Sequence, residues 1–505
     1  MTKQITKHFM VFFLSLLMAI SMGLTAFAEG DGEASGTTGS NSTPATYNLK
    51  LTGTATGHTY EAYQIFRGDL STNTEGEKVL SNVAWGDGVT YSGKESAADV
   101  AKALSGGTMT IASLEEKLTL TTPVKTVTSA KDNTVIDGLA AGYYLVKDKD
   151  GTQKDKSDAY TKFIVQVVGN TEVKVKSDVP TVVKKVMDTN DSTGDTTGWQ
   201  DSADYDIGDD VPYQITGTMP ENIAYYTTYK YTFTDTMSKG LTYTAKNANI
   251  TIGDKDVTSS FKETVTANEG GSTTVTWSCD NLKGIEGVTL DKDTKVVVTY
   301  SAKLNENAVL GSGGNPNEVD LTYSNNPNNG GGGETGKTPK DKNIVFTYKT
   351  VVNKVDQDGT KPLPGAAFKL EKKNSDGITY TTVKEFTAGT ETSFAFTGLD
   401  DGDYKLTETT TPDGYNTIAP IEFTISAEHE ADSADPKLTS LSGDVTSGEA
   451  KFTADKDAGS LTTDVVNKKG STLPSTGGIG TTIFYAAGGA LVVLAGVMIA
   501  ARKRA

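Results

Sequence analysis

The chain has 505 residues, a formal net charge of −17 and 36% apolar residues, enough for about three domains with cores of their own. The acid excess excludes a nucleic-acid binder, because neutralising phosphates takes clustered Lys and Arg, and no such stripe precedes the extreme C-terminus. Cys279 is the only cysteine, which excludes intrachain disulfides as braces.

Residues 1–28 combine Lys3 and Lys7, the apolar run "FMVFFLSLLMAI" and a small-residue site at Ala26-Phe27-Ala28, and read as a cleavable secretory signal. Residues 29–44 are Gly, Ser and Thr rich, a flexible leader. From 45 to 178, period-two segments such as "YNLKLTG" and "KFIVQVVG" flank the helix-like patch "SAADVAKALSGG", with Ser96 placed to cap its first turn. This predicts a mostly β domain with a helical insertion. Residues 179–329 hold "VPYQITGTM", "YKYTFTDTM", "STTVTWSCD", "KVVVTYSAKL" and "EVDLTYSNN" between turn residues, the spacing of a β-sandwich. "NNPNNGGGGETGKTPKDK" is too rich in Gly, Asn and Pro for a core, so 330–343 reads as a linker. Residues 344–469 run strand after strand with "DQDGT", "SDG", "DDGD" and "PDGY" as turns, a further sandwich. In 470–505, "GIGTTIFYAAGGALVVLAGVMIA" is long enough for a transmembrane helix in the precursor, and "ARKRA" is the basic end that stays inside. The fold class expected is all-β.

Several strands aim polar groups at their apolar face. In "VVKKVMD", alternation sends Val182, Lys184 and Val186 one way and Val183, Lys185 and Met187 the other, so one lysine must share an apolar face. Tyr231, Phe233, Asp235 and Met237 share a face of "KYTFTDTM". Asn317, Val319, Leu321 and Tyr323 share one of "NEVDLTY", leaving Glu318, Asp320 and Thr322 to water. The pattern repeats downstream. Phe346, Tyr348, Val352 and Lys354 are in phase, as are Tyr404, Leu406 and Glu408, and Val465 with Asn467. A lone inward lysine usually snorkels. Two sets in the same order, Lys then acid then Asn, point elsewhere. A buried unpaired ammonium or carboxylate tends to neutralise, and a neutral lysine is a nucleophile. The matching chemistry is amide formation between Lys and Asn with loss of ammonia, the protonated acid polarising the Asn carbonyl and moving protons.

Other chemistry finds little support. Of three histidines His8 leaves with the signal, and His58 and His429 accompany no nucleophile motif, so no enzyme is expected. "DKDGTQKDKSD" and "DTNDSTGD" are acidic but neither completes a calcium loop; calcium stays open, and no metal ligand or cofactor is assigned.

Specific motifs add a family resemblance. "LPSTGG" from Leu473, followed by the apolar span and basic end, resembles the cell-wall sorting signal of Gram-positive surface proteins. It implies a sortase that reads Leu473, Pro474, Ser475, Thr476 and Gly477, attacks the carbonyl of Thr476 and passes it to an amine. Residues 344–469 resemble a CnaB-type domain through "NKVDQDGTKPLPGAAFKL", "YKLTETTTPDGY" and "VVNKKG". Residues 179–329 resemble the isopeptide-forming D2 domain of fimbrial proteins through "VPTVVKKV", "YTFTDTMSKGLTY" and "NPNEVDLTYSNNP". "HTYEAYQIFRGDL", "WGDG" and "GYYLVKD" resemble the N-terminal domain of major pilins.

Together the motifs imply a backbone pilin of tandem Ig-like (CnaA/CnaB-type) β-sandwich domains. Carried over residue by residue, Lys184 joins Asn317 with Asp235 as catalyst, and Lys354 joins Asn467 with Glu408; Lys185 and Asn315 are the alternatives. The resemblance also implies a lysine near the end of the first domain that takes the Thr476 acyl group of another subunit. Lys176 in "EVKVKSDVPT" fits that spacing, with Lys174 second, although the family's Tyr and Pro are missing. Lys50 lies opposite Tyr47, Leu49 and Leu51, so no cross-link is expected in the first domain. Implied partners are a pilin-specific and a housekeeping sortase, identical subunits in a covalent homopolymer, minor pilins and peptidoglycan. The implied location is a wall-anchored surface pilus supporting adhesion, after transient membrane retention. The competing reading is a monomeric wall-anchored adhesin with a CnaB stalk.

Overall fold

The structure, a computed structural model, describes residues 45–470 apart from 75, 176 and 177. The signal peptide, the leader, Lys176, the sorting motif from Leu473 to Gly477 and the apolar span with its basic end lie outside the described residues. The described chain falls into two compact units, one of residues 45–186, 210–303 and 315–344, the other of 187–209, 304–314 and 345–470.

In the first unit, the long strand Thr59–Thr72 shows why its sequence is apolar on both faces. Tyr60 and Ala62 pack with Leu49, Leu51, Ile136 and Leu139, which belong to a small sheet ordered Thr171–Lys174, Thr46–Thr52, Thr134–Ala140. Tyr63 and Ile65 point the other way, into a cluster with Val100, Leu104 and Leu114 from the helical insertion. The helix Ala97–Ser105 starts where the sequence placed its cap: the Ser96 hydroxyl accepts from the Asp99 amide at 3.1 Å. Lys50 turns outward and meets Glu172 at 3.1 Å.

His58 is buried between two carboxylates, with Nδ1 2.8 Å from Asp148 and Nε2 2.9 Å from Asp158. Burial pulls its pKa down, but the hydrogen bonds and charges of Asp148 and Asp158 outweigh burial and push it up to about 9.

The same unit contains a sandwich. One sheet runs Val182–Val186, Asp210–Thr218, Lys295–Leu304, Asn249–Ile252, Lys255–Asp256. In the other, Tyr231–Met237 lies between Thr273–Cys279 and Asn315–Ser324, antiparallel to both. A strand paired on both sides must bury a full face, and Tyr231, Phe233, Asp235 and Met237 are each solvent-free. Register sets Met237 opposite Asn317 and Asp235 opposite Val319.

One expectation fails here. Asp320, assigned to the wet face, is 3% exposed. Within the run read as a linker, Thr335–Lys337 forms a strand on Thr322–Ser324, and Lys337 Nζ reaches the Asp320 carboxylate at 3.0 Å. The glycines that suggested a linker make this return possible, since Gly330, Gly331 and Gly333 all take positive φ (59°, 89° and 89°).

In the second unit, one sheet runs Ser393–Leu399, Tyr348–Val355, Ser460–Val466, Thr453–Asp455. The other runs Tyr380–Glu385, Ala367–Lys373, Gly402–Thr410, Ile421–His429, Leu438–Ser447. Tyr348–Val355 and Ser460–Val466 are parallel, with Lys354 beside Val465. Phe368, Leu370, Phe394, Phe396, Leu406 and Ile425 fill the space between.

Candidate functional site

Burial settles which lysine of "VVKKVMD" goes inside, a choice that alternation alone leaves open. Val182, Lys184 and Val186 are buried, while Val183 is exposed and Lys185 half-exposed. Lys184, at zero exposure, is among the largest fully buried side chains of the described residues. It enters from the first sheet of its sandwich, while Asp235 and Asn317 enter from neighbouring strands of the facing sheet.

The atoms converge. Lys184 Nζ is 2.8 Å from Asp235 Oδ1 and 2.6 Å from the Tyr300 hydroxyl. That hydroxyl donates to Asp235 Oδ2 and accepts from Asn317 Nδ2 at 2.9 Å. Asn317 Oδ1 is buried with no hydrogen-bond partner among the described residues. Lys184 Nζ also lies over the rings of Tyr213 (4.9 Å) and Tyr300 (5.0 Å). Burial lowers the Lys184 pKa and raises that of Asp235, each against the pull of the other's charge. Both shifts favour the neutral pair, an amine beside a carboxylic acid.

The second constellation again combines a lysine, an acid and an asparagine, with Glu408 in place of an aspartate. Lys354 and Asn467 are solvent-free, and Glu408 is 5% exposed. Lys354 Nζ donates to the Val465 carbonyl at 2.6 Å, and Glu408 Oε2 accepts from Asn467 Nδ2 at 3.0 Å. Thr411 and the Ile418 amide also donate to Glu408 Oε2, and Asn416 O takes the second hydrogen of Asn467. Glu408 Oε1 and Asn467 Oδ1 are buried without partners. Burial pulls Lys354 down to about 8, the Glu408 charge opposing it.

Sequence reasoning missed Tyr300. It stands in phase with Val296, Val298 and Ala302 on the inward face of its strand, a legible signal, but nothing local says which buried groups its hydroxyl meets. Asn315 is buried beside Asn317 in sequence. Lys174 is exposed at the end of a strand that pairs with Thr46–Thr52. Cys279 is buried and free.

The acidic run after Lys184 belongs to the second unit, where Lys372 collects Asp191 (3.1 Å), Asp206 (2.8 Å) and Asp400 (3.2 Å). His429 lies 3.5 Å from Asp188 and 3.7 Å from Asp204. Asp188, Asp204 and His429, or Asp204, Asp400 and Asp401, are spaced closely enough to ligate a cation. Lys372 and His429 already supply positive charge to these carboxylates, and no ion is assigned.

Sandwiches with a buried lysine, acid and asparagine, on a chain that carries a sorting motif, are similar to the domains of Gram-positive surface pilins. Residues 207–327 match the Gram-positive pilin backbone subunit 2, Cna-B-like domain, residues 349–437 a prealbumin-like fold domain, and residues 465–505 the LPXTG cell wall anchor motif. In particular, the chain is homologous to the trypsin-resistant surface T6 protein of Streptococcus pyogenes serotype M6, with 26% identity over 407 residues, 67% of this chain and 71% of that protein. The structure of the T6 backbone pilin superposes with a TM-score of 0.53 at 17% identity, covering 86% of this chain and all of the other.

Proposed function

We propose that this protein is the shaft subunit of a surface pilus, a structural protein and not an enzyme, anchored to the cell wall through its sorting motif. The domain matches and the T6 homology support that reading. Residues 45–178, 179–329 and 344–469 are its three domains, with 330–343 between the last two. Sortase joins Thr476 of one subunit to a lysine of the next, Lys176 or its neighbour Lys174, and a second sortase hands the finished polymer to peptidoglycan.

Within each subunit, Lys184 bonds to Asn317 and Lys354 to Asn467. The observation that carries this is that both constellations place a charge-suppressed lysine and an asparagine with an unpartnered carbonyl beside a buried acid. The neutral Nζ attacks the amide carbon, the acid protonates the departing nitrogen, and it regains a proton from the new Lys nitrogen. The bond formed is Lys Nζ to Asn Cγ, the bond broken is Asn Cγ to Nδ2, and ammonia leaves.

Intact mass spectrometry of the purified mature chain tests the internal bonds: the mass should be short by two ammonia molecules, and a full unmodified mass would refute both. For assembly, wall extracts should show a detergent-resistant ladder that needs sortase and disappears in Lys176→Ala. A ladder lost only in Lys174→Ala moves the linkage, and a single band in the wild type overturns polymerisation.

A further inference from the structure

The two constellations reach the departing nitrogen by different routes. Glu408 touches Asn467 Nδ2 directly, at 3.0 Å. Asp235 is one methylene shorter, and the hydrogen bond of Asn317 Nδ2 runs instead to the Tyr300 hydroxyl at 2.9 Å. That hydroxyl in turn donates to Asp235 Oδ2 and receives Lys184 Nζ at 2.6 Å. One oxygen therefore touches the nucleophile, the acid and the leaving group.

The ring is fixed in place. Tyr213 stacks on it at 5.2 Å, Trp277 leans on it at 5.4 Å, and Tyr243 meets it edge-on at 5.7 Å. Tyr213 is also its neighbour across the strand pair Asp210–Thr218 and Lys295–Leu304. With the ring held this rigidly, the relay asks only that the hydroxyl hydrogen turn from Asp235 Oδ2 toward Asn317 Nδ2 as the amide nitrogen gains its lone pair.

We infer that Tyr300 is a catalytic residue of the Lys184–Asn317 bond, a proton relay that connects Asp235 to the departing Asn317 nitrogen. The inference rests on the isopeptide reading proposed above. As Nζ adds to Asn317 Cγ, the Lys184 nitrogen gives one proton to Asp235 Oδ1, 2.8 Å away. Asp235 Oδ2 passes its proton to the Tyr300 oxygen, and the Tyr300 hydroxyl proton moves to Nδ2, whose lone pair is free once the amide carbon is tetrahedral. Ammonia departs, and both Asp235 and Tyr300 end as they began. The phenol never has to ionise, because it gives and takes a proton in one relay.

The test follows bond closure in newly synthesised mature chain by intact mass and peptide mapping, with the Lys354–Asn467 site as internal control. Wild type should close both bonds; if it closes neither, the isopeptide reading itself fails. Tyr300→Phe keeps the aromatic packing and removes only the hydroxyl. It should close the Lys354 bond at the wild-type rate and the Lys184 bond at least about a hundredfold more slowly, the range for loss of a proton-transfer group. Closure of both bonds at wild-type rates would overturn the relay. A double variant, Asp235→Glu with Tyr300→Phe, separates chemistry from packing. The longer acid should reach Nδ2 as Glu408 does and restore closure, whereas a packing defect would persist in the double variant and overturn the relay.

Discussion

The two buried constellations each hold a lysine, an acid and an asparagine but distribute them differently over their sheets. In the first, Asp235 and Asn317 stand on adjacent strands and Lys184 comes from the opposite sheet. In the second, Lys354 and Asn467 lie at the ends of adjacent parallel strands and Glu408 comes from the opposite sheet. A Lys–Asn bond in the first therefore clamps sheet to sheet, and in the second it ties two neighbours in one sheet. What the chemistry needs is a dry meeting point of amine, acid and amide; the sheet that supplies each is free to change. The choice still has consequences for the lysine. Lys184 shares a proton with a carboxylate, whereas Lys354 rests on a backbone carbonyl and answers to burial.

The strongest way to break this comparison is to remove one lysine at a time. By analogy with a disulfide closing more than about 100 residues, Lys184→Ala and Lys354→Ala should each cost about 4 to 5 kcal/mol in denaturant unfolding and each restore one ammonia to the mass. A variant that unfolds like wild type would show that its bond was never there. A non-covalent brace gives the next effect. His58, raised from 6.5 to about 9 by its two carboxylates, contributes stability that is full below 6.5 and lost as pH climbs through about 9. The contribution is about 3 kcal/mol, so wild type should lose stability between those values while His58→Gln stays flat across them.

The pH dependence of closure sharpens the contrast between the lysines. With Lys354 held near 8, its amine is neutral above that pH and about one part in a hundred neutral at about pH 6. Closure of the Lys354 bond should therefore slow about a hundredfold over that interval, read by timed mass spectra. A flat profile would mean that deprotonation does not limit it. The smallest effect belongs to Lys337→Ala, which leaves Asp320 without its ion pair and should cost about 1 kcal/mol, because Lys337 itself is half-exposed.

Alternation made five of the six inward groups legible; for Lys184 it left Lys185 open, and the matching Asp and Asn, their repeat downstream and the family resemblance made the choice. The Ser96 cap was legible from its local sequence. Asp320 was not, since its burial comes from a strand made of residues that look like linker. Tyr300 was visible as an inward tyrosine but not as a partner of Lys184, because that meeting depends on which strands face each other. Sheet membership is a long-range property, and period-two patterning is silent about it. The sorting motif was read from its sequence order, and its residues lie outside the described structure.

With both proposed bonds closed, tension along a pilus would follow a short covalent path. It would enter at Lys176, reach Lys184, cross directly to Asn317, run on to Lys354, cross to Asn467 and leave at Thr476. The residues enclosed between each bonded pair would carry none of it, nor would the domain that precedes Lys176. The extensible length of a subunit would then lie chiefly between Asn317 and Lys354. The pairing of Thr335–Lys337 with Thr322–Ser324 falls inside that stretch. The backbone hydrogen bonds of that pairing, together with those of Asn315–Ser324 and Asp341–Phe346 in the sandwich sheet, would set how far the fibre gives before its covalent skeleton takes the strain.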